Sequence, residues 1–166
     1  MIEIKEAVNK LHYKTITQLA SKILHKVYDH IITSEQTNYY LEEFQSENAV
    51  THQVTSLNWK YYLLTYNSES VGYIGFEITH KKLYLSKFYI LEAYRGKKIG
   101  KAALEFIHKL AISKQLNVIE LIVNIENHNS IEIYKKNGFE IVESMINSFP
   151  NGYKVNDYRM QKKITA

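Results

Sequence analysis

The spacing of hydrophobic residues divides the N-terminal part of the chain into distinct elements. Residues 2–6 alternate like a short strand. Hydrophobic residues then recur at helical intervals over about 9–28, which predicts a helix. The residues that carry this repeat are Leu11, Ile16, Leu19, Ile23 and Val27. Ser34 is predicted to cap a second helix that contains Tyr39, Tyr40, Leu41 and Phe44.

The middle of the chain is rich in β-forming residues. The run 59–78, WKYYLLTYNSESVGYIGFEI, contains two strands around the polar turn NSES. A third strand, KKLYLSKFYI, follows a second tight turn at HKK. The three strands therefore predict an antiparallel meander.

Helices and strands alternate in the remainder of the chain. A helix is predicted over about 98–114, then the strand VIELIVNI, then a helix over about 129–137 that ends at Gly138. Two closing strands predict a hairpin around NSFPNG. The order β-α-α-β-β-β-α-β-α-β-β indicates an α+β fold with a mixed, mostly antiparallel sheet. The strand–helix–strand unit at 83–125 predicts a right-handed crossover between parallel neighbours.

Composition narrows the class of protein. With 166 residues, 45% of them hydrophobic and 23% charged, the chain fits a single packed domain over 1–166. The absence of cysteine excludes a disulfide scaffold and a cysteine nucleophile. No segment approaches the roughly 18 apolar residues that span a bilayer, and no signal-peptide core is present. We therefore expect a cytoplasmic protein that does not enter a membrane.

The charge and the histidines argue against nucleic acid and metal as partners. The net charge of +4 suits an anionic ligand, but it is too small for the dense basic face that binds nucleic acid. The seven histidines are scattered without metal-ligand spacing, so no metal is expected.

One stretch, YRGKKIGKAALEFIHKLA at 94–111, combines glycines and positive charge at a predicted helix start. The first amides of a helix lack internal partners and favour an anion, most often phosphate. Gly96 and Gly100 allow close approach to the backbone. The spacing does not match the phosphate loop of nucleotide hydrolases or the dinucleotide fingerprint. Taken alone, the stretch is explained equally well by a loop in which glycines relieve backbone strain and the lysines are exposed.

A second stretch, NIENHNSIEIYKKNGFEIV, places Asn127, Ser130 and Tyr134 at intervals of three and four residues. On a helix this spacing brings the three side chains to one face. The alternative is structural: Asn127 or Asn129 caps the helix, and Tyr134 packs with its hydroxyl at the rim.

Together the two stretches resemble the GNAT superfamily of acyl-CoA N-acyltransferases. The acyl-CoA motif [QR]-x-x-G-x-[GA] is matched by Arg95, Lys98 and Gly100, with Lys98 in place of the central glycine. We expect ordinary helical backbone angles at Lys98. The later pattern N-x-x-[AS]-x-x-x-Y-x-x-x-G-F is matched by Asn127, Ser130, Tyr134, Gly138 and Phe139. The order of elements also matches, so the resemblance covers nearly the whole chain.

The resemblance implies a twisted sheet of about seven strands, flanked by about four helices, with a splayed parallel strand pair at an acetyl-CoA site. The pantetheine arm would pair with Phe88, Tyr89 and Ile90 on one strand and with Val123 and Asn124 on the other. Asn127 would hydrogen-bond the pantetheine arm, and Ser130 would also bind the cofactor. The pyrophosphate would lie on the backbone amides of Arg95, Gly96, Lys97, Lys98, Ile99, Gly100 and Lys101.

The resemblance also implies a catalytic role for Tyr134, as the acid that protonates the departing thiolate. A phenol has a pKa of about 10 and a thiol about 8.5, so Tyr134 is protonated at neutral pH. A backbone N–H near Ile90 would stabilise the oxyanion. Transfer would be direct, because no cysteine can carry the acetyl group. No base is assigned: the strand LYLSKFYI has no carboxylate, and Glu77 or a water chain remain open.

The acceptor is expected to be a small cationic amine, with a polyamine as the best single candidate. The segment YDHIITSEQTNYYLEEF interleaves acids and aromatics, which attract cations. These residues are Asp29, Glu35, Glu42 and Glu43 among Tyr28, Tyr39, Tyr40 and Phe44. The alternative is an amphipathic helix whose acids face water. The segment NGYKVNDYRM resembles the final hairpin of bacterial polyamine (spermidine/spermine) N-acetyltransferases, but Lys154 and Arg159 make it more basic.

Three questions stay open at this stage. The chain could instead acetylate protein or peptide amines, or it could be a non-catalytic acyl-CoA-binding module. The presence of Tyr134 favours the enzyme. The sequence is compatible with a homodimer but does not fix the oligomeric state.

Overall fold

The computed structural model describes residues 1–148 and 152–165. Seven strands form one sheet in the order β1-β2-β3-β4-β5-β7-β6. The helices and strands are β1 Ile2–Glu6, α1 Lys10–Tyr28, α2 Ser34–Gln45, α3 Glu47–Ser56, β2 Lys60–Tyr66, β3 Glu69–Thr79, β4 Lys82–Ile90, α4 Ile99–Ser113, β5 Val118–Asn124, α5 His128–Lys136, β6 Glu140–Ser148 and β7 Lys154–Lys163. A single 3-10 turn, Glu92–Tyr94, precedes α4. The predicted α+β fold with a mixed sheet is confirmed.

Two-residue turns join β2 to β3 and β3 to β4. Asn67 and Ser68 have φ angles of 49° and 69°, and His80 and Lys81 have φ angles of 46° and 66°. Consecutive left-handed residues are typical of type I′ turns, whose twist matches that of the strands they connect. The predicted meander is therefore confirmed, with both turns where the polar residues indicated them.

The helices before β2 differ from the prediction in two respects. Thr33, and not Ser34, caps α2: its hydroxyl accepts from the Gln36 amide at 3.1 Å, and the Gln36 side chain accepts from the Thr33 amide at 2.7 Å. This reciprocal box makes Ser34 the first helical residue. The second difference is α3, which was not predicted. Val50 is its one buried hydrophobic residue, so the sequence carries little helical periodicity there.

The chain forms two compact units, Met1–Glu77 with Lys87–Ala103, and Ile78–Ser86 with Leu104–Ala166. In the first unit, the inner face of α1 packs with residues of α3, β2 and β3. The buried side chains of this core include Tyr13, Ile16, Leu19, Ile23, Leu24, Val50, Tyr61, Leu63 and Tyr73. Burial of each aliphatic side chain stabilises the fold by about 1.5–3 kcal/mol. Asn9 fixes the start of α1 by accepting from the His12 amide.

A buried chain of hydrogen bonds also ties α2 and α3 to the sheet in the first unit. The Tyr73 hydroxyl donates to Gln45 Oε1 at 2.5 Å, and Gln45 Nε2 donates to the Tyr61 hydroxyl at 3.0 Å. Tyr61 in turn donates to Gln53 Oε1 at 2.6 Å. Each of these four buried side chains has a hydrogen-bond partner. The series of bonds therefore positions α2 and α3 without leaving an unpaired polar group among the four.

In the second unit, β4 and β5 form the predicted parallel pair. Their ladder comprises Lys82–Val118, Leu83–Ile119 and Tyr84–Glu120, at the amino ends of both strands. On its other side, β5 pairs antiparallel with β7 along its whole length, ending at Asn124–Asp157. Strands β6 and β7 form the predicted hairpin. The tip of the predicted NSFPNG turn, residues 149–151, lies outside the described residues.

Candidate active site

The carboxyl end of β4 carries Phe88, Tyr89 and Ile90, and its position is set by β3. Val71 is an extra residue between the pairs Leu64–Gly72 and Thr65–Ser70, which makes it a β-bulge. Its carbonyl accepts from the Leu91 amide at 2.8 Å. At Gly72 the strands approach so closely that a Cβ would lie 2.4 Å from the Tyr89 carbonyl oxygen. Only glycine fits there.

The loop that follows corrects the expectation for Lys98. Its φ angle is 66°, in the left-handed region, and Gly96 is also left-handed with φ of 77°. Lys98 therefore adopts a backbone conformation that glycine favours, at the position where the resembled motif has its central glycine. For a residue with a Cβ this costs roughly 1–2 kcal/mol. Helix α4 starts one residue later than predicted, and its first hydrogen bond runs from the Ala102 amide to the Lys98 carbonyl at 3.0 Å.

The start of α4 differs from the other helix starts. Side chains of Asn9, Thr33, Ser46 and Asn127 cap α1, α2, α3 and α5. Lys98 precedes α4, and a lysine side chain has no acceptor to offer. The Lys98 side chain therefore cannot cap the first-turn amides of α4, which can instead meet an external anion.

Exposed positive charge surrounds this helix start. Arg95, Lys97, Lys98 and Lys101 are exposed, and Lys97 Nζ lies 5.6 Å from the centre of the Tyr66 ring. Gly100 lies beside two of the residues expected to bind pantetheine: a Cβ there would sit 3.5 Å from Phe88 Cζ and from Ile90 Cδ1. The structure thus brings together Phe88, Ile90 and the loop 95–101, and the arrangement fits a phosphorylated ligand with an extended arm.

The second unit contains the other predicted site residues. Val123 is buried, and the Asn124 side-chain oxygen accepts from the Glu126 amide at 2.9 Å. The Asn127 side-chain oxygen accepts from the Ser130 amide at 3.4 Å, so Asn127 caps α5. Capping was the structural alternative for Asn127. It uses the side-chain oxygen and leaves the amide nitrogen as a donor.

Tyr134 is 9% exposed and lies on α5. Its ring meets that of Phe139 edge to face, with centroids 5.7 Å apart. The Phe139 amide donates to the Tyr134 carbonyl at 3.1 Å, and Gly138 has the positive φ of 91° that ends the helix. The motif residues Gly138 and Phe139 therefore fix the position of Tyr134. Gly138 ends the helix, as the sequence predicted.

Lys87 was missed by the sequence analysis. It is 6% exposed, its Nζ donates to the Tyr40 hydroxyl, and the same nitrogen lies 4.8 Å from the centre of the Tyr40 ring. Burial lowers the pKa of Lys87 to about 7. A signal was present: Leu83, Leu85 and Lys87 alternate, which places the lysine on the buried face of β4.

The acids expected near the acceptor are mostly at the surface. Glu35, Glu42 and Glu43 of α2 are exposed. Asp29 contacts His25 Nδ1 at 2.9 Å. Burial acts to raise the pKa of Asp29, but hydrogen bonds from His25 and Thr37 outweigh it and leave that pKa below its ordinary value. Glu77, a candidate base, is half-buried in β3. Of the expected aromatics, Tyr40 already contacts a cation, Lys87.

The described residues include neither a metal-binding cluster nor a helix that could cross a membrane. Residues 1–148 and 152–165 contain no group of three or more histidine or acidic side chains that could hold a metal ion. None of the helices in this part of the chain is both long enough and apolar enough to cross a bilayer.

Comparison with known proteins identifies the class. The model of the acetyltransferase (GNAT) family matches residues 24–139. No curated protein matches the chain. The PaiA N-acetyltransferase from Thermoplasma acidophilum, solved in complex with coenzyme A, superposes with a TM-score of 0.81 at 23% identity, over 98% of this chain and 99% of that chain.

Two further solved structures share the fold. The ribosomal-protein-S18-alanine N-acetyltransferase from Escherichia coli has a TM-score of 0.75 at 15% identity, over 100% of this chain and 96% of that chain. A spermidine N-acetyltransferase chimera from Vibrio cholerae has a TM-score of 0.73 at 15% identity, over 98% of this chain and 95% of that chain. The family match extends over most of the sequence, so the chain belongs to the acetyltransferase (GNAT) family. It is an acetyl-CoA-dependent N-acetyltransferase.

Proposed function

We propose that this enzyme transfers an acetyl group from acetyl-CoA directly to a primary amine of a small cationic molecule, of which a polyamine is the best candidate. The observation that carries the cofactor half of the proposal is the start of α4. There a left-handed Lys98 replaces a side-chain cap, and exposed cations surround the first amides. Such a start suits the pyrophosphate of acetyl-CoA.

In this proposal the loop 95–101 binds pyrophosphate through its backbone amides, with Arg95, Lys97, Lys98 and Lys101 supplying charge. The pantetheine arm pairs with the backbone at Phe88–Ile90 and at Val123–Asn124. The short β4–β5 ladder supports this role, because its three pairs, which end at Tyr84–Glu120, all lie at the amino ends of the two strands. Asn127 contributes its amide nitrogen, and Ser130 lies beside it on α5.

Tyr134 acts as the general acid. The neutral amine attacks the thioester carbonyl, and the attacking nitrogen loses a proton to solvent. The tetrahedral intermediate then collapses with cleavage of the C–S bond, and the Tyr134 hydroxyl gives its proton to the departing sulfur and regains one from solvent. A phenol suits this role because it stays protonated at neutral pH. A thiol with a pKa of about 8.5 is also protonated there, so donation to the sulfur followed by return of a proton from solvent is favourable overall. The close packing of Tyr134 against Phe139 supports the role, since a fixed ring keeps its hydroxyl in one place.

The acceptor half of the proposal rests on charge. The exposed carboxylates of α2 would attract a cation towards the enzyme. The closing hairpin also resembles that of polyamine N-acetyltransferases. Its basic Arg159 is less of an obstacle than the sequence alone indicated, because Arg159 contacts Glu143 at 2.6 Å and Glu120 at 3.4 Å. Two carboxylates therefore offset its charge.

Replacement of Tyr134 by Phe tests the assignment. Tyr134→Phe removes only the hydroxyl and keeps the ring contact with Phe139. We expect kcat to fall by roughly 10- to 10³-fold, because a positioned proton donor is lost. The Kd of acetyl-CoA, measured by calorimetry, should stay unchanged. Wild-type turnover in this variant would show that water protonates the thiolate and that Tyr134 only packs.

A further inference from the structure

The reaction needs a proton acceptor, and strand β4 carries no carboxylate for that role. It does carry Lys87, which directly precedes Phe88, the first residue proposed to pair with the pantetheine arm. Lys87 is 6% exposed, and its Nζ donates to the hydroxyl of Tyr40 on α2. Both residues belong to the first unit, which also contains the proposed pyrophosphate loop. The pair therefore connects α2 with the part of β4 that is proposed to hold the acyl donor.

The surroundings of Lys87 favour its neutral amine over its ammonium form. An ammonium has three N–H donors, whereas Tyr40 is the one hydrogen-bond partner of Lys87 among the described residues. Burial lowers the pKa of Lys87 to about 7. A buried lysine without a carboxylate partner costs folding free energy, so a role in the reaction explains its position in β4 better than stability does. A base is also most effective when its pKa lies near the working pH.

The other titratable groups around the Tyr40–Lys87 pair are tyrosines. Burial raises the pKa of three of them that interact electrostatically with Tyr40, namely Tyr61 of β2, Tyr73 of β3 and Tyr89 of β4. From α1, the Tyr28 hydroxyl is hydrogen-bonded to that of Tyr89 at 3.0 Å. Because the three buried phenols stay neutral at ordinary pH, Lys87 is the member of this cluster whose charge changes near pH 7.

Tyr40 connects the buried lysine with the surface of α2. Tyr40 is half-buried, and the carboxylates of Glu42 and Glu43, which are proposed to attract the cationic acceptor, lie exposed within the next turn of the helix. The Tyr40 ring also lies close to Lys87, with Nζ 4.8 Å from its centre. An acceptor drawn to α2 is therefore brought towards a phenol that is already hydrogen-bonded to a buried amine.

We propose that Tyr40 and Lys87 form a relay that takes the proton from the attacking nitrogen on its way to solvent. Once the nitrogen has bonded to the thioester carbon, its proton passes to the Tyr40 oxygen while the Tyr40 hydroxyl hydrogen passes to Lys87 Nζ. The phenol is thus regenerated, and the amine of Lys87 becomes an ammonium. After the product leaves, Lys87 releases the proton to solvent by the same route.

In this relay Tyr40 is the catalytic residue that contacts the acceptor, and Lys87 is the base behind it. The inference rests on the direct attack by an amine proposed above, and it supplies the base that the sequence left unassigned.

The test measures kcat for thiol release from acetyl-CoA with saturating spermidine, from about pH 5.5 to about pH 9. Lys87→Met replaces the base with a side chain of similar length that cannot accept a proton. Tyr40→Phe keeps the ring beside Lys87 and removes only the hydroxyl. Tyr62→Phe is the matched control, because Tyr62 is also half-buried in the first unit but stacks on Phe76 and has no contact with Lys87.

We expect the wild-type kcat to fall as the pH drops below about 7, because protonated Lys87 can no longer accept a proton. Lys87→Met and Tyr40→Phe should each lower kcat at pH 8 by roughly 10²- to 10⁴-fold and should lose the inflection near pH 7. The Kd of acetyl-CoA, measured by calorimetry, should stay unchanged in both. Tyr62→Phe should keep the wild-type rate and pH profile.

A wild-type rate in Lys87→Met, or a slower variant that keeps the inflection near pH 7, would overturn the relay and leave the proposed function standing. A second measurement does not depend on turnover: in protein with carbon-13-labelled lysine, the Cε signal that disappears in Lys87→Met reports the titration of Lys87. Titration at its ordinary pKa of 10.5 would also overturn the relay. If the wild type releases no thiol with any amine, both the relay and the proposed function are overturned.

Discussion

Two regions of the first unit hold lysines under opposite conditions. At the start of α4, Lys97, Lys98 and Lys101 are exposed, and their charges are solvated. Ten residues before Lys97, Lys87 is buried beneath Tyr40, and none of the carboxylates in the described part of the chain lies within ion-pair distance of it.

The difference shows why net charge does not locate a site. The sequence counts every lysine equally towards +4. In the structure, the exposed lysines keep their charge at little cost and can meet an anion. Lys87 has lost most of its hydration, so its pKa falls to about 7 and its ammonium form destabilises the fold near neutral pH.

The largest expected effect concerns Lys87. Below pH 7 this lysine is charged in both the folded and the unfolded chain, so the full cost of burial is present. Between about pH 7 and its ordinary pKa of 10.5, the folded chain releases the proton first and the cost disappears. Lys87→Met should therefore be more stable than the wild type by a few kcal/mol at pH 7, with the advantage shrinking by up to about 1.4 kcal/mol per pH unit above it.

Urea unfolding from pH 7 to pH 10 measures this difference. Lys101→Met is the matched control, because Lys101 is exposed: its stability should stay within about 0.5 kcal/mol of the wild type at every pH. Parallel pH curves for the wild type and Lys87→Met would show that Lys87 is not desolvated as described.

The next effect concerns the exposed region itself. Gly100→Val adds a branched side chain in the first turn of α4, next to Phe88 and Ile90 and within the loop where pyrophosphate is proposed to bind. The loss of one or more charge-assisted hydrogen bonds should weaken acetyl-CoA binding by roughly 10- to 100-fold. Gly100→Ala is the milder companion, because its Cβ would make ordinary 3.5 Å contacts with Phe88 and Ile90. Calorimetry gives both affinities. Unchanged acetyl-CoA binding in Gly100→Val would show that the pyrophosphate does not bind at this loop.

The smallest effect tests the backbone of Lys98. Because Lys98 is left-handed, Lys98→Gly should fold more stably than Lys98→Ala by about 1 kcal/mol. If Lys98 had the helical angles that the sequence suggested, alanine would instead be better by about 0.5–1 kcal/mol. Both variants remove the same charge, so the sign of the difference in unfolding free energy reports the backbone alone.

Periodic patterns and local motifs predicted the parts of the molecule that local physics controls. The alternation in 59–90 located the meander, and the spacing of Asn127, Ser130 and Tyr134 located α5. Helix α3 was not predicted because it is held by the hydrogen bond between Tyr61 and Gln53 rather than by a stripe of apolar residues. The prediction for Lys98 was wrong because tertiary structure overrides the preference of a residue with a Cβ for negative φ.

Lys87 and Asp157 mark the limit of what sequence reasoning found among the buried charged residues. Both sit within strands, and their residue types indicate surface positions. Their burial depends on which face of the sheet is covered, which a single sequence specifies only through register. For Lys87 the alternation with Leu83 and Leu85 carried that information. For Asp157 the neighbouring residues, Asn156 and Tyr158, gave no comparable contrast.

The most direct test of the central claim is the release of free thiol from acetyl-CoA by the purified wild-type enzyme, with and without a panel of amines. The panel includes polyamines, butylamine, amino acids and a peptide with a free N-terminus. We predict thiol release that depends on polyamine and yields one N-acetylated amine per thiol. Binding of acetyl-CoA without amine-dependent release, for every member of the panel, would contradict the account.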